Sequence, residues 1–183
     1  SQTLEETIER RSSYLTDYQN TALAKRYLDR VEQFSAKETA LVGQPGALTA
    51  AVTHYYFKVL AIKDEYEVAR LYSDGSFKRQ LGKQFESYDK LEYHMAPPVL
   101  GRKDSEGHPI KSAFGRGMAV LFPVLSALKV VRGTPLDLFG YTAERRMERQ
   151  ILSDFIDELD QMSGALKKEN CADVAAFLSY PTK

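Results

Sequence analysis

The sequence predicts a mainly helical single domain with a small β-hairpin inserted near residues 90–114. Three observations carry that prediction. Apolar residues recur at helical steps in two long stretches: Leu23, Tyr27, Val31 and Phe34, then Ile151, Phe155, Leu159 and Met162. One short run alternates instead, with Leu91, Tyr93 and Met95 set between Glu92 and His94, the period of a half-buried strand. Glycine and proline punctuate the segments at Gly43, Pro45, Gly46, Asp74-Gly75 and Gly133. A chain of 183 residues suits one domain or two small ones, and the reading is one, residues 1–183.

The first helix is expected over about residues 3–42. Thr3 and Glu6 make a capping box, with Glu5 and Glu6 placed well for the helix dipole. A break is expected near Ser12-Ser13, and Gly43 to Gly46 ends the segment. The second helix is expected over about 48–73. Its stretch Tyr55–Ile62 is apolar nearly all round, which belongs in a core. A short helix over about 77–86 follows, with Phe77, Leu81 and Phe85 on one face. Pro97-Pro98 then closes the first strand, Arg102 to Pro109 forms a polar turn, and Ile110 to Phe114 returns as the partner. A helix over about 117–131 either starts or kinks at Pro123. Thr142 caps a long helix over about 143–166, and a final helix covers about 170–178.

Composition excludes several functions. Lysine plus arginine is 25 and aspartate plus glutamate is 25, so the net charge is zero and neither nucleic acid nor a membrane surface is an expected partner. The single cysteine, Cys171, allows no internal disulfide, cysteine-rich zinc site or iron–sulfur cluster, and fits a reducing, cytoplasmic compartment. No run of about 18 apolar residues is present to cross a membrane. No signal peptide opens the chain, and its start at Ser1 suggests an excised piece or processed product. Phosphate-cradling glycine loops, HExxH and GxSxG are absent, and no catalytic or metal-ligating set is predicted.

The residues worth weighing are charged. Lys63, Asp64, Glu65, Glu67 and Arg70 form a dense cluster at the end of the apolar helix. Its three acids could act as acid–base groups or hold a hard cation. Mixed charges at helical spacing favour ion pairs instead, with Lys63–Glu67 at i,i+4 and Glu67–Arg70 at i,i+3. Two local cations do not balance three acids. The remaining positive charge is sought at Arg145, Arg146 and Arg149, which sit in early helical turns where the dipole disfavours cations. Their partner is the acid cluster, a bound anion, another domain, or solvent alone. His54 reads as a hydrogen-bonded core histidine, His94 as a weak anion-binding candidate on a polar strand face, and His108 as an exposed turn residue.

Three runs add a resemblance. They are Lys63-Asp64-Glu65-Tyr66-Glu67-Val68-Ala69-Arg70-Leu71-Tyr72, then Met95-Ala96-Pro97-Pro98, then Arg132-Gly133-Thr134 followed by Phe139-Gly140-Tyr141-Thr142-Ala143-Glu144-Arg145-Arg146-Met147-Glu148-Arg149. In this order and spacing they resemble the C-terminal region of the fused bacterial indolepyruvate ferredoxin oxidoreductases, from about Tyr14 to about Asp160. The resemblance implies a parent enzyme that oxidatively decarboxylates aryl-2-oxoacids and passes electrons to ferredoxin. It implies thiamine diphosphate, magnesium, 4Fe-4S clusters and coenzyme A in that parent. None of the motifs for those groups is matched here: Asp74-Gly75 lacks the preceding glycine of the thiamine diphosphate signature, and Cys171 stands alone. The expectation is a non-catalytic accessory domain without cofactor. Its expected partners are the catalytic domains of the same parent chain, with a homodimer and ferredoxin as further candidates. The alternative is a module that binds an anionic group.

Overall fold

The computed structural model describes residues 2–86, 92–95, 112–114 and 117–180. The protein is mainly helical, and no helix among the described residues is long and apolar enough to cross a membrane. The chain divides into two compact units, Ser1–Ile62 with Met147–Lys183, and Lys63–Arg146.

In the first unit, α1 spans Leu4–Tyr18 and α2 spans Thr21–Val42. The predicted capping box forms: Thr3 Oγ1 accepts from the Glu6 N–H at 3.1 Å, and Glu6 Oε2 accepts from the Thr3 N–H at 2.8 Å. The break is not at Ser12-Ser13, which lie inside α1. It falls at Gln19-Asn20, because the Asn20 side chain accepts from the Leu23 N–H at 2.9 Å and starts a new helix. Gly43 ends α2 at φ +94, a left-handed conformation that suits glycine.

Helix α3 covers Ala47–Leu60 and has no local side-chain cap. Glu38 of α2 supplies one from a distance. Its buried carboxylate accepts from the N–H groups of Gly46, Leu48 and Thr49 at 2.8, 3.1 and 2.8 Å, and from the Thr49 hydroxyl at 2.6 Å. The orphan donors of a helix start are thereby satisfied inside the core. Helix α7 (Ala143–Ala165) and α8 (Cys171–Ser179) bring Leu159, Ala175 and Leu178 into one cluster with Tyr27, Phe34 and Val52. The tyrosine tips find carbonyls, Tyr18 on Ile62 at 2.9 Å and Tyr27 on Thr53 at 3.1 Å.

The second unit shows why the predicted helix over 48–73 is two helices. Asp64 is an N-cap: its carboxylate accepts from the Glu67 N–H at 2.8 Å and opens α4, Glu65–Ser73. Helix α5 covers Ser76–Gln84. Strands β1 (Tyr93–Met95) and β2 (Ser112–Phe114) pair antiparallel, with Tyr93 opposite Phe114. Only these three residue pairs of the expected hairpin are described. The polar turn, Pro97-Pro98 and His108 lie outside the described residues. Helix α6, Gly117–Ala127, contains Pro123 in its interior and passes into a 3-10 turn, Leu128–Val131. It packs on α4 through aromatic rings. Tyr72 stacks on Phe122 at 5.1 Å, while Phe77 and Tyr93 meet Tyr72 edge-on at 4.9 and 5.2 Å.

Candidate functional site

The predicted acid cluster lies in the second unit, with Asp64 and Glu67 buried and Glu65 and Arg70 half-buried. Four pieces of chain build it: the N-terminus of α4, the 132–140 loop, the 3-10 turn Phe139–Tyr141, and the first residues of α7. Asp64 does two jobs. Besides capping α4, it takes a two-pronged bond from Arg132, Nε to Oδ2 at 2.5 Å and Nη2 to Oδ1 at 2.8 Å. Asp64 is buried and Arg132 largely so, at 7% and 12% exposure. A paired fork of this kind is the strong form of an arginine–carboxylate bond.

Asp137 is a second buried carboxylate. Asp137 accepts from the Tyr66 hydroxyl at 2.9 Å, from the Gly133 N–H at 2.9 Å and from the Gly140 N–H at 3.0 Å. Gly133 sits at φ +75, a conformation side-chain-bearing residues avoid, and so turns the loop back toward Asp137. At Gly140 a Cβ would stand 2.8 Å from Asp137 Oδ2, so this position accepts only glycine without rearrangement. Burial, the hydrogen bond to Asp137 and the charges of Asp137 and Asp64 together push the Tyr66 hydroxyl well above the usual tyrosine value. Arg132 joins the group, its guanidinium over the Tyr66 ring and 5.5 Å from the ring centre.

The other acids are also committed. Glu67, 2% exposed, receives Arg70 Nε and Nη2, both at 2.8 Å, and Arg70 also stands 3.7 Å from Asp74. Glu65 forms an ion pair with Arg145 at 3.7 Å between Oε2 and Nε. Of the three arginines predicted to meet the acids, the structure therefore brings in Arg145. Arg146 and Arg149 are exposed, as is Lys63, and the i,i+4 spacing does not pair Lys63 with Glu67. His94 lies in β1 opposite Ala113, and its side chain lies outside what is described.

Sequence reasoning missed Arg132 and Asp137 as partners. The signal for Arg132 was its place at the end of a segment that otherwise carries one charge, Lys129, between Gly117 and Val131. Asp137 gave a weaker one, the spacing Gly133-x-x-x-Asp137-x-x-Gly140, with two glycine amides bracketing a carboxylate.

The fold gives Asp74 and Cys171 other tasks. The Asp74 carboxylate takes both the Ser76 N–H at 2.8 Å and the Ser76 hydroxyl at 2.6 Å, closing the turn between α4 and α5. It is thus a turn residue. Cys171 is a lone buried thiol, and a cluster needs several thiolates together. In the first unit a groove of about 450 Å³ runs beside Lys25, Arg26, Asp29, Arg30 and Tyr56. Two of its cations are already paired, Lys25 with Asp29 at 2.6 Å and Arg30 with Asp160.

No curated protein matches the chain, and no solved structure matches it. A protein family described as a family of unknown function, DUF6537, matches residues 4–183, nearly the whole chain, and the protein belongs to that family.

Proposed function

We propose that this chain is an accessory, non-catalytic domain of an enzyme of the indolepyruvate ferredoxin oxidoreductase kind. Its task in this reading is to pack against the catalytic domains of the same parent chain. One observation supports this above the others. The runs that carry the resemblance are used to build scaffold. Asp64, Tyr66, Glu67 and Arg70 of the first run, and Arg132, Gly133, Gly140 and Arg145 of the last, are committed to one another or to Asp137. A carboxylate held by an arginine fork or by three donors is poorly placed to move protons on a substrate. Oxidation of the aryl-2-oxoacid, and the thiamine diphosphate, coenzyme A and 4Fe-4S groups that go with it, belong in this reading to other parts of the parent.

Exposed apolar side chains fit a packing role. In the second unit Val120, Val130, Leu136 and Leu138 are 74%, 64%, 73% and 78% exposed. Where such side chains form a contiguous patch, they mark an interaction face. The cytoplasm is the compartment proposed, consistent with one free cysteine. The test is binding. An indolepyruvate ferredoxin oxidoreductase lacking the region that matches this chain is mixed with the purified chain and followed by calorimetry. Saturable binding that weakens when Leu136 and Leu138 become serine supports the reading. No binding at tens of micromolar overturns it, and binding to ferredoxin alone replaces it with a carrier-docking role.

A further inference from the structure

The first unit holds a polar knot that the proposed function does not use. Three helices converge on the carbonyl of Thr53 in α3. Arg11 of α1 donates to it through Nη1 at 2.7 Å, and Tyr27 of α2 donates to it through its hydroxyl at 3.1 Å. The second prong of the same guanidinium, Nη2, lies 2.8 Å from Nδ1 of His54. Arginine carries donors and no acceptor. Nδ1 must therefore accept, which fixes the ring as neutral with its proton on Nε2. The Arg11 guanidinium also lies 5.2 Å from the Phe57 ring centre, so α1 is gripped on α3 over about one helical turn.

We infer that the Arg11–His54 bond is a pH-sensitive latch that holds α1 on α3 at neutral pH and loosens it in mild acid. Protonation of Nδ1 removes the acceptor and sets an imidazolium against a guanidinium. Among the described residues no carboxylate acts on the imidazole. The charges acting on His54 are both cationic, Arg11 from α1 and Lys58 from its own helix. Tyr27 from α2 is occupied on Thr53, and α8 offers the Ser179 carbonyl to Tyr55 rather than to His54. Burial first, then Arg11 and Lys58, hold the imidazole below its ordinary value. The sign follows. The folded state binds the His54 proton less readily than the unfolded chain does. The latch is therefore fully present above the ordinary histidine value of about 6.5 and is lost as pH falls through the lower folded value.

The test is native-state hydrogen exchange on the full chain, with opening constants corrected for intrinsic exchange, at about pH 7.5 and about pH 5. The α1 amides are expected to open at least about threefold more at the lower pH, relative to the amides of α2. In His54→Asn, which keeps an acceptor and cannot titrate, that rise should vanish. A rise of the same size in His54→Asn overturns the latch, as does no rise in the wild-type chain. The proton-resonance titration of His54 is the second readout, and needs only a folded Arg11→Met chain. Loss of Arg11 should move the His54 midpoint up toward that of a free imidazole. An unchanged midpoint overturns the pairing.

Discussion

Replacing Asp64 separates its two roles. Asp64→Asn keeps an oxygen that can cap α4 and removes the charge that faces Arg132. The Arg132 guanidinium, 12% exposed, then lies buried without its counter-charge. Breaking a buried pair from one side costs about 3–5 kcal/mol. The retained amide oxygen can still take one guanidinium bond, which places Asp64→Asn near the lower end, about 3 kcal/mol. Asp64→Ala also loses the bond to the Glu67 N–H and should cost about 1 kcal/mol more. Arg132→Met should cost somewhat less, about 2 kcal/mol, because the α4 N-terminus still favours the bared carboxylate. The double variant Asp64→Asn/Arg132→Met should recover much of the sum, leaving a coupling of about 2 kcal/mol. Urea unfolding by far-UV circular dichroism measures the totals, and exchange protection of the α4 amides locates the loss in the second unit. Asp64→Asn within about 0.5 kcal/mol of wild type, with an additive cycle, would refute the claim that this pair ties the 132–140 loop to α4.

Three further predictions follow from the same geometry. Coupling between Glu65 and Arg145 should be measurable in a double-mutant cycle, while Glu65 with Arg146 should give a value near zero, since Arg146 is exposed. Gly140→Ala should cost about 1–3 kcal/mol by thermal melt, because the added methyl meets the Asp137 carboxylate at 2.8 Å. For Glu38, burial raises the carboxyl, and the bonds from Thr49, Gly46 and Leu48 outweigh it and hold it below its ordinary value. Its stabilisation is thus present above the unfolded glutamate value of about 4.3 and lost as pH falls through the folded value. Glu38→Gln should flatten that part of the acid-stability curve of the first unit, and a curve identical to wild type would contradict it.

The helical class was legible because the periodic faces are real core faces: Tyr27, Val31 and Phe34, and Leu159 on α7, lie in one buried cluster. The Thr3 and Thr142 caps were legible because caps are local; Thr142 Oγ1 accepts from the Arg145 N–H at 3.3 Å. The two misplaced helix breaks were legible in principle. Asn20 and Asp64 are both residues that start helices, yet no glycine or proline marks the chain at Asn20, and Asp64 reads first as one acid of a cluster. What the sequence could not place was non-local. Glu38 caps a helix that starts nine residues later, and Arg132 reaches Asp64 from 68 residues away. Arg145, Arg146 and Arg149 stand out in the sequence because charge density is visible there and burial is not. Arg145 alone of the three turns inward, while Arg132 had no neighbouring charge pattern to mark it.

The most direct measurement of the central claim is turnover of an aryl-2-oxoacid by an indolepyruvate ferredoxin oxidoreductase with the region that matches this chain deleted, and again with the purified chain added back. The account predicts that turnover falls on deletion and returns on addition, and that Asp64→Asn chain restores it less well because the second unit is loosened. Turnover, substrate affinity and assembly that are all unchanged by deletion would contradict the account.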